Sequence, residues 1–153
     1  MKSLLEFMNR DRLRKYKTKP EYHYFPKDKS DLIEIIGQLI KKRGLEADLN
    51  DIDTSKIDDM WGLFGSDGDF DKFNGDISQW DVSKVKNMRK MFYESEFTGD
   101  ISQWNVSNVE NMARMFMYSK FDGNIEGWKV DDKCNTNAMF MKCPLENHPP
   151  KWY

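Results

Sequence analysis

A unit of 24 residues occurs three times in succession between Phe73 and Pro144. Each copy begins with phenylalanine, has glycine at its third position and tryptophan at its eighth, and contains a Met-Phe pair near its end. The tryptophans are Trp80, Trp104 and Trp128. A unit this short cannot bury an apolar face alone, so the copies are predicted to stack on one another, and a period of about 20 to 29 residues is typical of a solenoid.

A weaker fourth copy precedes these three. Residues 49–64 match residues 77–92 position for position, with Ile52 in place of Trp80, and the offset is 28 residues. The four extra residues fall between Phe64 and Phe73, where an insertion between repeats is tolerated in a loop. The repeats are therefore predicted to begin near residue 49.

The apolar period changes inside each unit. Trp80 and Val82 are two residues apart, as on one face of a strand, whereas Met88, Met91 and Phe92 follow the i, i+3, i+4 spacing of a helix. We therefore expect one short strand and one short helix per unit. The third-position glycines are expected at turns with positive φ; they are Gly75, Gly99 and Gly123.

The pattern Ile-x-x-Trp-x-Val-x-x-Val-x-x-Met-x-x-Met-Phe over residues 49–143 resembles the BspA-like leucine-rich repeat family and the repeats of unknown function in mycoplasma lipoproteins. The resemblance implies a concave parallel sheet backed by short helices. It also implies a surface or adhesive role, or an unassigned protein of bacteria and mobile elements. The chain departs from the surface proteins because it shows neither a signal-peptide pattern nor a lipobox cysteine, so a cytoplasmic location is expected.

The predicted architecture is an α/β, leucine-rich-repeat-like solenoid of four 24-residue repeats with an N-terminal helical cap. Residues 1–48 form the basic cap, residues 49–143 the repeats and residues 144–153 a C-terminal tail. The cap helix is predicted to start with a capping box at Asp31 and to end at Gly44.

Charge is unevenly distributed. Residues 1–45 carry a net charge of +6 and residues 46–153 a net charge of −8. An acidic pole in the first repeat and its loop could dock on a basic, nucleic-acid-binding surface of another protein, and simple solubility is the alternative. The pole comprises Asp48, Asp51, Asp53, Asp58, Asp59, Asp67, Asp69 and Asp71.

Polar residues around the central strand position are the predicted partner-binding site on the concave face. The column runs from acidic to basic along the stack, and a solvated sheet face is the alternative. The predicted site residues are Asp51, Asp53, Ser55, Gln79, Asp81, Ser83, Gln103, Asn105, Ser107, Lys129 and Asp131.

Other chemistry has little support. Residues 67–71 have the first carboxylate spacings of a calcium loop, but Lys72 stands where glycine is required. The basic, aromatic segment 10–17 could bind single-stranded nucleic acid, and packing of a charged helix on the repeats is the favoured alternative. The cysteines, Cys134 and Cys143, are expected to be free thiols.

No catalytic motif is present, so we expect a non-catalytic module without cofactors or membrane contact. Its predicted partner is another protein, such as a basic nucleic-acid-handling enzyme that it inhibits or for which it acts as an adaptor. Direct nucleic-acid binding is disfavoured. The alternative is a bacterial surface or adhesion-type repeat protein.

Overall fold

The computed structural model of the protein describes residues 19–153. This part of the chain contains one α-helix, α1 (Lys29–Arg43), and one 3-10 helix (Pro144–Glu146). β-Structure is limited there to five isolated parallel bridges, such as Asp59 with Asn87. The remainder consists of turns and irregular backbone.

The expected α/β leucine-rich-repeat solenoid with a helical cap is therefore wrong. The described residues form no sheet, and no repeat unit contains an α-helix. The expected helix of residues 88–92 fails because Lys90 adopts φ 56°, and Glu94 beyond it adopts φ 53°. Left-handed residues at this spacing break the right-handed helix and leave a series of turns.

The helix α1 forms where apolar residues recur at helical spacing. Its N-cap is Asp28, three residues before the predicted Asp31, and the Asp28 side chain accepts a hydrogen bond from the Asp31 N–H. Gly44 ends the helix at φ 91° and donates its N–H to the Ile40 carbonyl. The buried residues of α1 are Leu32, Ile36 and Leu39.

Backbone hydrogen bonds hold successive units in register. The Met88 N–H donates to the Asn111 carbonyl (2.8 Å), and one unit later the Met112 N–H donates to the Asn135 carbonyl (2.7 Å). Parallel bridges join Asn87 to Asn111 and Asn111 to Asn135. Equivalent residues of consecutive copies are therefore direct neighbours although the backbone forms no strand.

Phenylalanine rings at equivalent positions stack along the core. The rings of Phe92 and Phe116 have centroids 5.5 Å apart and planes 1° apart, and Phe116 stacks in the same way on Phe140 (5.9 Å, 4°). Phe92 also stacks at 4.6 Å on Phe97, the first residue of the next unit. Offset stacking of this kind adds about 0.5 to 1.5 kcal/mol per pair beyond burial.

The indole N–H groups of the repeat tryptophans donate to backbone carbonyls of the preceding unit. Nε1 of Trp104 donates to the Ile77 carbonyl (3.1 Å), and Nε1 of Trp128 donates to the Ile101 carbonyl (3.0 Å). The two tryptophans are 4 % and 3 % exposed. They therefore fill the core and satisfy a backbone acceptor at the same time.

The repeated glycines serve a purpose other than the predicted one. Positive φ is confined to Gly44 and Gly62 among the described glycines. A Cβ added at Gly75 would lie 2.0 Å from the Ala47 carbonyl oxygen, and one at Gly99 would lie 2.7 Å from the Phe97 ring. The third position of each unit requires glycine because the ring at the first position of the same unit approaches too closely for a side chain.

The tail after residue 143 continues the pattern of the units. Trp152 follows Trp128 by one period, stacks on it at 6.2 Å, and donates Nε1 to the Ile125 carbonyl (2.8 Å). Leu145, one period after Phe121, is 6 % exposed. These residues extend the core past the last full copy, which the sequence prediction missed although the 24-residue spacing to Trp152 was legible.

Candidate protein-binding surface

Acidic residues predicted to bind a partner take part in turns of the backbone. Asp53 Oδ1 accepts the Ser55 N–H (3.0 Å). In the next unit, Asp81 Oδ1 accepts both the N–H (3.0 Å) and the hydroxyl (2.6 Å) of Ser83. Since a side-chain oxygen that accepts the N–H two residues ahead closes an Asx turn, these residues shape the backbone.

The third unit repeats the arrangement with an amide. Asn105 Oδ1 accepts the N–H (3.2 Å) and the hydroxyl (2.6 Å) of Ser107. Aspartate and asparagine are thus interchangeable as turn acceptors in this column, and the negative charge is not what the turn requires.

Two further columns use the same turn. One contains Asp48, Asp76, Asp100 and Asn124; the other contains Asp59, Asn87, Asn111 and Asn135. Each side chain accepts the N–H two residues ahead, at 2.8 to 3.1 Å. Much of the Asp and Asn content of the repeats therefore stems from turn formation.

The last unit departs from the column. Lys129 occupies the position of Asp81, and the turn shifts to Asp131, which accepts the Lys133 N–H (2.8 Å). Both Lys129 and Asp131 are exposed. Asp131 and Ser107 line a cleft of about 470 Å³ between the third and fourth units.

Asp51 is bound internally. Arg43, the last residue of α1, donates to both carboxylate oxygens of Asp51 at 2.9 Å, and His23 Nδ1 lies 3.3 Å from Asp51 Oδ2. The hydrogen bond from Arg43 lowers the pKa of the Asp51 carboxyl below its ordinary value, against the opposing effect of burial. Asp51 therefore connects α1 to the first unit.

The two glutamines of the predicted partner-binding site, Gln79 and Gln103, are not acceptors in these turns. Gln79 donates its backbone N–H to Asn50 Oδ1 (2.8 Å) and lines a cleft of about 450 Å³ together with Asp51. Gln103 is exposed, and its side-chain amide donates to the neighbouring Ser102 hydroxyl (3.4 Å). The predicted site is thus divided between two clefts and a series of turns.

Lysine side chains pair with three of the eight aspartates of the acidic pole, in addition to the pair between Arg43 and Asp51. Lys29 lies 3.8 Å from Asp59, and Lys90 lies 2.8 Å from Asp67. Lys72 pairs with Asp71 (3.4 Å). Because Asp67 and Asp71 are the outer carboxylates of the calcium-loop pattern, these pairs occupy the groups such a loop would use. Within residues 19–153, no group of three or more His, Cys, Asp or Glu side chains could hold a metal ion.

Neither cysteine has the environment of a reactive thiol. Both are free, and burial raises the pKa of the Cys134 thiol and of the Cys143 thiol.

The basic segment 10–17 lies outside the described residues. No helix in the part of the chain that the structure describes is long and apolar enough to span a bilayer.

Sequence reasoning missed a surface that we call the aromatic face, defined by Lys90, Tyr93, Met117, Tyr118 and Met141. The Tyr93 and Tyr118 rings meet edge to face at 6.1 Å, and Lys90 Nζ lies 4.6 Å from the Tyr93 ring centroid. Tyr118 is 47 % exposed and Met141 40 % exposed. The available signal was the residue after each Met-Phe pair, which is Tyr93, Met117 and Met141 in successive units.

Backbone geometry and hydrogen bonding hold this face in place. Tyr118 has φ 60° and donates its N–H to the Met141 carbonyl (2.9 Å), while Glu94 donates to the Met117 carbonyl (3.0 Å). A left-handed conformation at a bulky residue costs about 1 to 3 kcal/mol and persists only where the surroundings enforce it. The exposed side chains are therefore presented by a constrained backbone.

No curated protein and no solved structure matches this chain. A protein family does match, and the match covers residues 35–152, from within α1 to the tryptophan that ends the core. Because it includes all the stacked units, the chain belongs to the family described as Mycoplasma protein of unknown function, DUF285.

Proposed function

We propose that this protein is a non-catalytic protein-binding module that contacts its partner through the aromatic face. The supporting observation is the exposure of Tyr118 and Met141 on adjacent units beside Tyr93. Tyrosine, methionine and arginine are the residue types enriched in protein interfaces, and tyrosine is frequent among the side chains that dominate binding energy.

Rigidity favours binding by this face. The backbone bonds from Tyr118 to Met141 and from Glu94 to Met117 bind the face to the stacked core. A backbone that is already ordered loses less conformational entropy on association, which increases affinity for a given contact area.

A second candidate surface is the acidic column, which would dock on a basic partner such as a nucleic-acid-handling enzyme in the cytoplasm. It is supported by the exposure of Asp81 and Asp131 and by the net charge of −8 over residues 46–153. Attraction between opposite charges would speed such an encounter and weaken it at high salt. An adhesive role is a third candidate, and it rests on the resemblance to BspA-like repeats.

Capture of partners from a cell extract distinguishes these surfaces when two matched variants are used. The first, Tyr118→Asn with Met141→Ser, removes the exposed apolar groups, and asparagine tolerates the left-handed backbone of position 118. The second, Asp53→Asn with Asp81→Asn, removes charge but keeps the turn acceptor that Asn105 already provides in the same column.

We expect the first variant to lose the partner and the second to keep it, with little effect of salt. Loss in the second variant alone, together with release at high salt, would overturn the aromatic face in favour of the acidic column. Capture only of cell-surface material would favour adhesion, and an extract that yields no specific partner would contradict a protein-binding function. Far-UV circular dichroism and urea unfolding of both variants control for folding.

A further inference from the structure

The last unit ends in a row of backbone donors that bond to nothing in residues 19–153. In the preceding unit, every second residue from Met112 to Tyr118 donates its N–H to the following unit, at 2.7 to 3.0 Å. The equivalent donors one period later are Thr136, Ala138, Phe140 and Lys142, and none of them donates a hydrogen bond to another described residue. One backbone acceptor lies beside these donors. In the preceding unit the Glu110 carbonyl accepts the Asn135 N–H (2.9 Å), whereas the equivalent Cys134 carbonyl accepts no hydrogen bond from another described backbone N–H.

The opposite end of the stack is covered. In the second unit, the Arg89 carbonyl accepts the N–H of Gly62 from the first unit. The equivalent carbonyl of the first unit belongs to Trp61, and it accepts a hydrogen bond from Lys29 Nζ at the start of α1 (2.6 Å). Tyr24 forms a parallel bridge with Ile52 on the same side of the first unit. One end of the stack thus contacts α1 and the segment before it, while the other presents backbone donors beside Trp152 and Tyr153, which pack against Phe140.

We propose that this donor edge, residues 135–142, binds an extended segment of another protein, which aligns parallel to it as the next turn of the stack. The segment would supply carbonyl groups at alternate residues to four N–H groups and one N–H to the Cys134 carbonyl. Exposed apolar groups beside the edge, Met141 (40 %) and Tyr153 (51 %), would contact its side chains. Addition of a segment to an unpaired edge derives affinity from main-chain hydrogen bonds and specificity from side-chain positions.

The polarity of the edge suits an extended polypeptide segment better than an anion or a symmetric pair of copies of this chain. A single anion cannot reach four donors spread over seven residues. Two copies of the chain meeting edge to edge would oppose N–H groups to N–H groups and leave both rows unpaired. Addition of one copy to the other end of a second copy would not find a full row of free acceptors. The Trp61 carbonyl there already accepts Lys29 Nζ, and the Gly65 carbonyl accepts the Gly68 N–H (3.0 Å). The edge adjoins the aromatic face at Met141. It would bind through main-chain N–H groups that the aromatic face does not use, so the exchange rates of these four amides test it separately from that face.

A peptide with residues 107–119 of this chain is a suitable probe. In the folded chain its carbonyls at Asn111, Ala113, Met115 and Met117 accept the N–H groups of the preceding unit at 2.8 to 3.1 Å. Its mirror-image form has the same composition and solubility but cannot follow the register, and so provides the matched control.

The experiment measures amide hydrogen exchange of the full chain by nuclear magnetic resonance, with and without peptide. Without peptide, the amides of residues 136, 138, 140 and 142 should exchange much faster than those of residues 112, 114, 116 and 118. At a peptide concentration about ten times its Kd, the four edge amides should exchange about tenfold more slowly, and the mirror-image peptide should have no effect.

Three results would overturn the proposal. The edge amides could already be protected in the free chain at low concentration, which would show that they are bonded within it. Protection that grows with protein concentration, accompanied by dimers in sedimentation, would identify a second copy as the occupant. Millimolar peptide that leaves the four amides unchanged would show that the edge does not accept a segment.

Discussion

Gly62 and Lys90 occupy equivalent positions of successive units, and both have positive φ, at 64° and 56°. The third and fourth units place Arg114 (58°) and Ala138 (54°) there. The backbone bonds between units thus impose a left-handed conformation whatever the side chain. Glycine in the first unit avoids a steric cost that the later units bear.

Gly62→Ala should therefore destabilise the protein by about 1 kcal/mol through backbone strain. A Cβ at Gly62 meets no atom within 4 Å, so packing contributes nothing to this change. Gly127→Ala is the matched control because its Cβ also meets nothing within 4 Å and its φ is not positive; it should be neutral or stabilise by about 0.4 to 1 kcal/mol. Equal effects of the two substitutions in urea unfolding would contradict this account.

Trp104 combines burial with a hydrogen bond, and two substitutions separate these contributions. Trp104→Phe keeps an aromatic ring but leaves the Ile77 carbonyl without its partner, so a loss of about 1 to 3 kcal/mol is expected. Trp104→Ala should cost about 3 to 5 kcal/mol because it also opens a cavity. Chemical denaturation measures both. Trp152→Phe, at the half-buried end of the column, should cost less than Trp104→Phe, and the reverse order would be inconsistent with stacking.

At the scale of elements, α1 is joined to the first unit through its last residue. Arg43 forms two hydrogen bonds to Asp51, and its Nη1 also donates to the Asp48 carbonyl (2.9 Å). The side chains of Arg43 and Asp51 are 31 % and 19 % exposed, so solvent screens their attraction only in part. Paired geometry of this kind is stronger than a single surface contact.

The Arg43–Asp51 pair makes the free energy of unfolding depend on pH in the acidic range. Because the folded-state pKa of Asp51 is lowered, its contribution is complete above the unfolded pKa of about 3.9 and is lost as the pH falls through the folded value. Unfolding free energies measured from pH 7 to pH 2 should show Asp51→Asn costing roughly 1 kcal/mol at pH 7 and little at pH 2. Arg43→Gln should reduce the same acid-dependent loss, and an unchanged profile in either variant would refute the coupling.

At the scale of the whole molecule, backbone hydrogen bonds between repeat units and the indole hydrogen bonds join consecutive units. Trp104 binds the unit before it, and Met112 binds the unit after it. Since Phe97 and Phe121 begin successive copies, removal of one full copy joins equivalent positions and preserves the register of the rings.

Deletion of residues 97–120 should therefore give a folded protein. Its urea m-value should fall by roughly a sixth, in line with the smaller surface exposed on unfolding. Deletion of residues 97–108, half a period, should abolish cooperative unfolding because rings and glycines no longer meet their partners. Circular dichroism and denaturation of both deletions provide the test, and equal behaviour would argue against register as the organising feature.

The sequence alone determined the register and the core. The spacing of phenylalanine, tryptophan and Met-Phe pairs identified residues that are buried and stacked, because a repeated apolar pattern has the same environment in every copy. It also identified most of α1, whose apolar stripe and terminal glycine are local signals.

Only the tertiary structure decided what the backbone does between those residues. Trp80 and Val82 have strand spacing, yet Asp81 between them accepts the Ser83 N–H and closes a turn. Aspartate at an exposed position has the same sequence signature whether it binds a partner or its own backbone, so the binding column could not be distinguished from a series of turns. Whether the backbone forms a strand or a turn depends on which of its N–H and C=O groups bond to the neighbouring unit. Those bonds form only when the units stack.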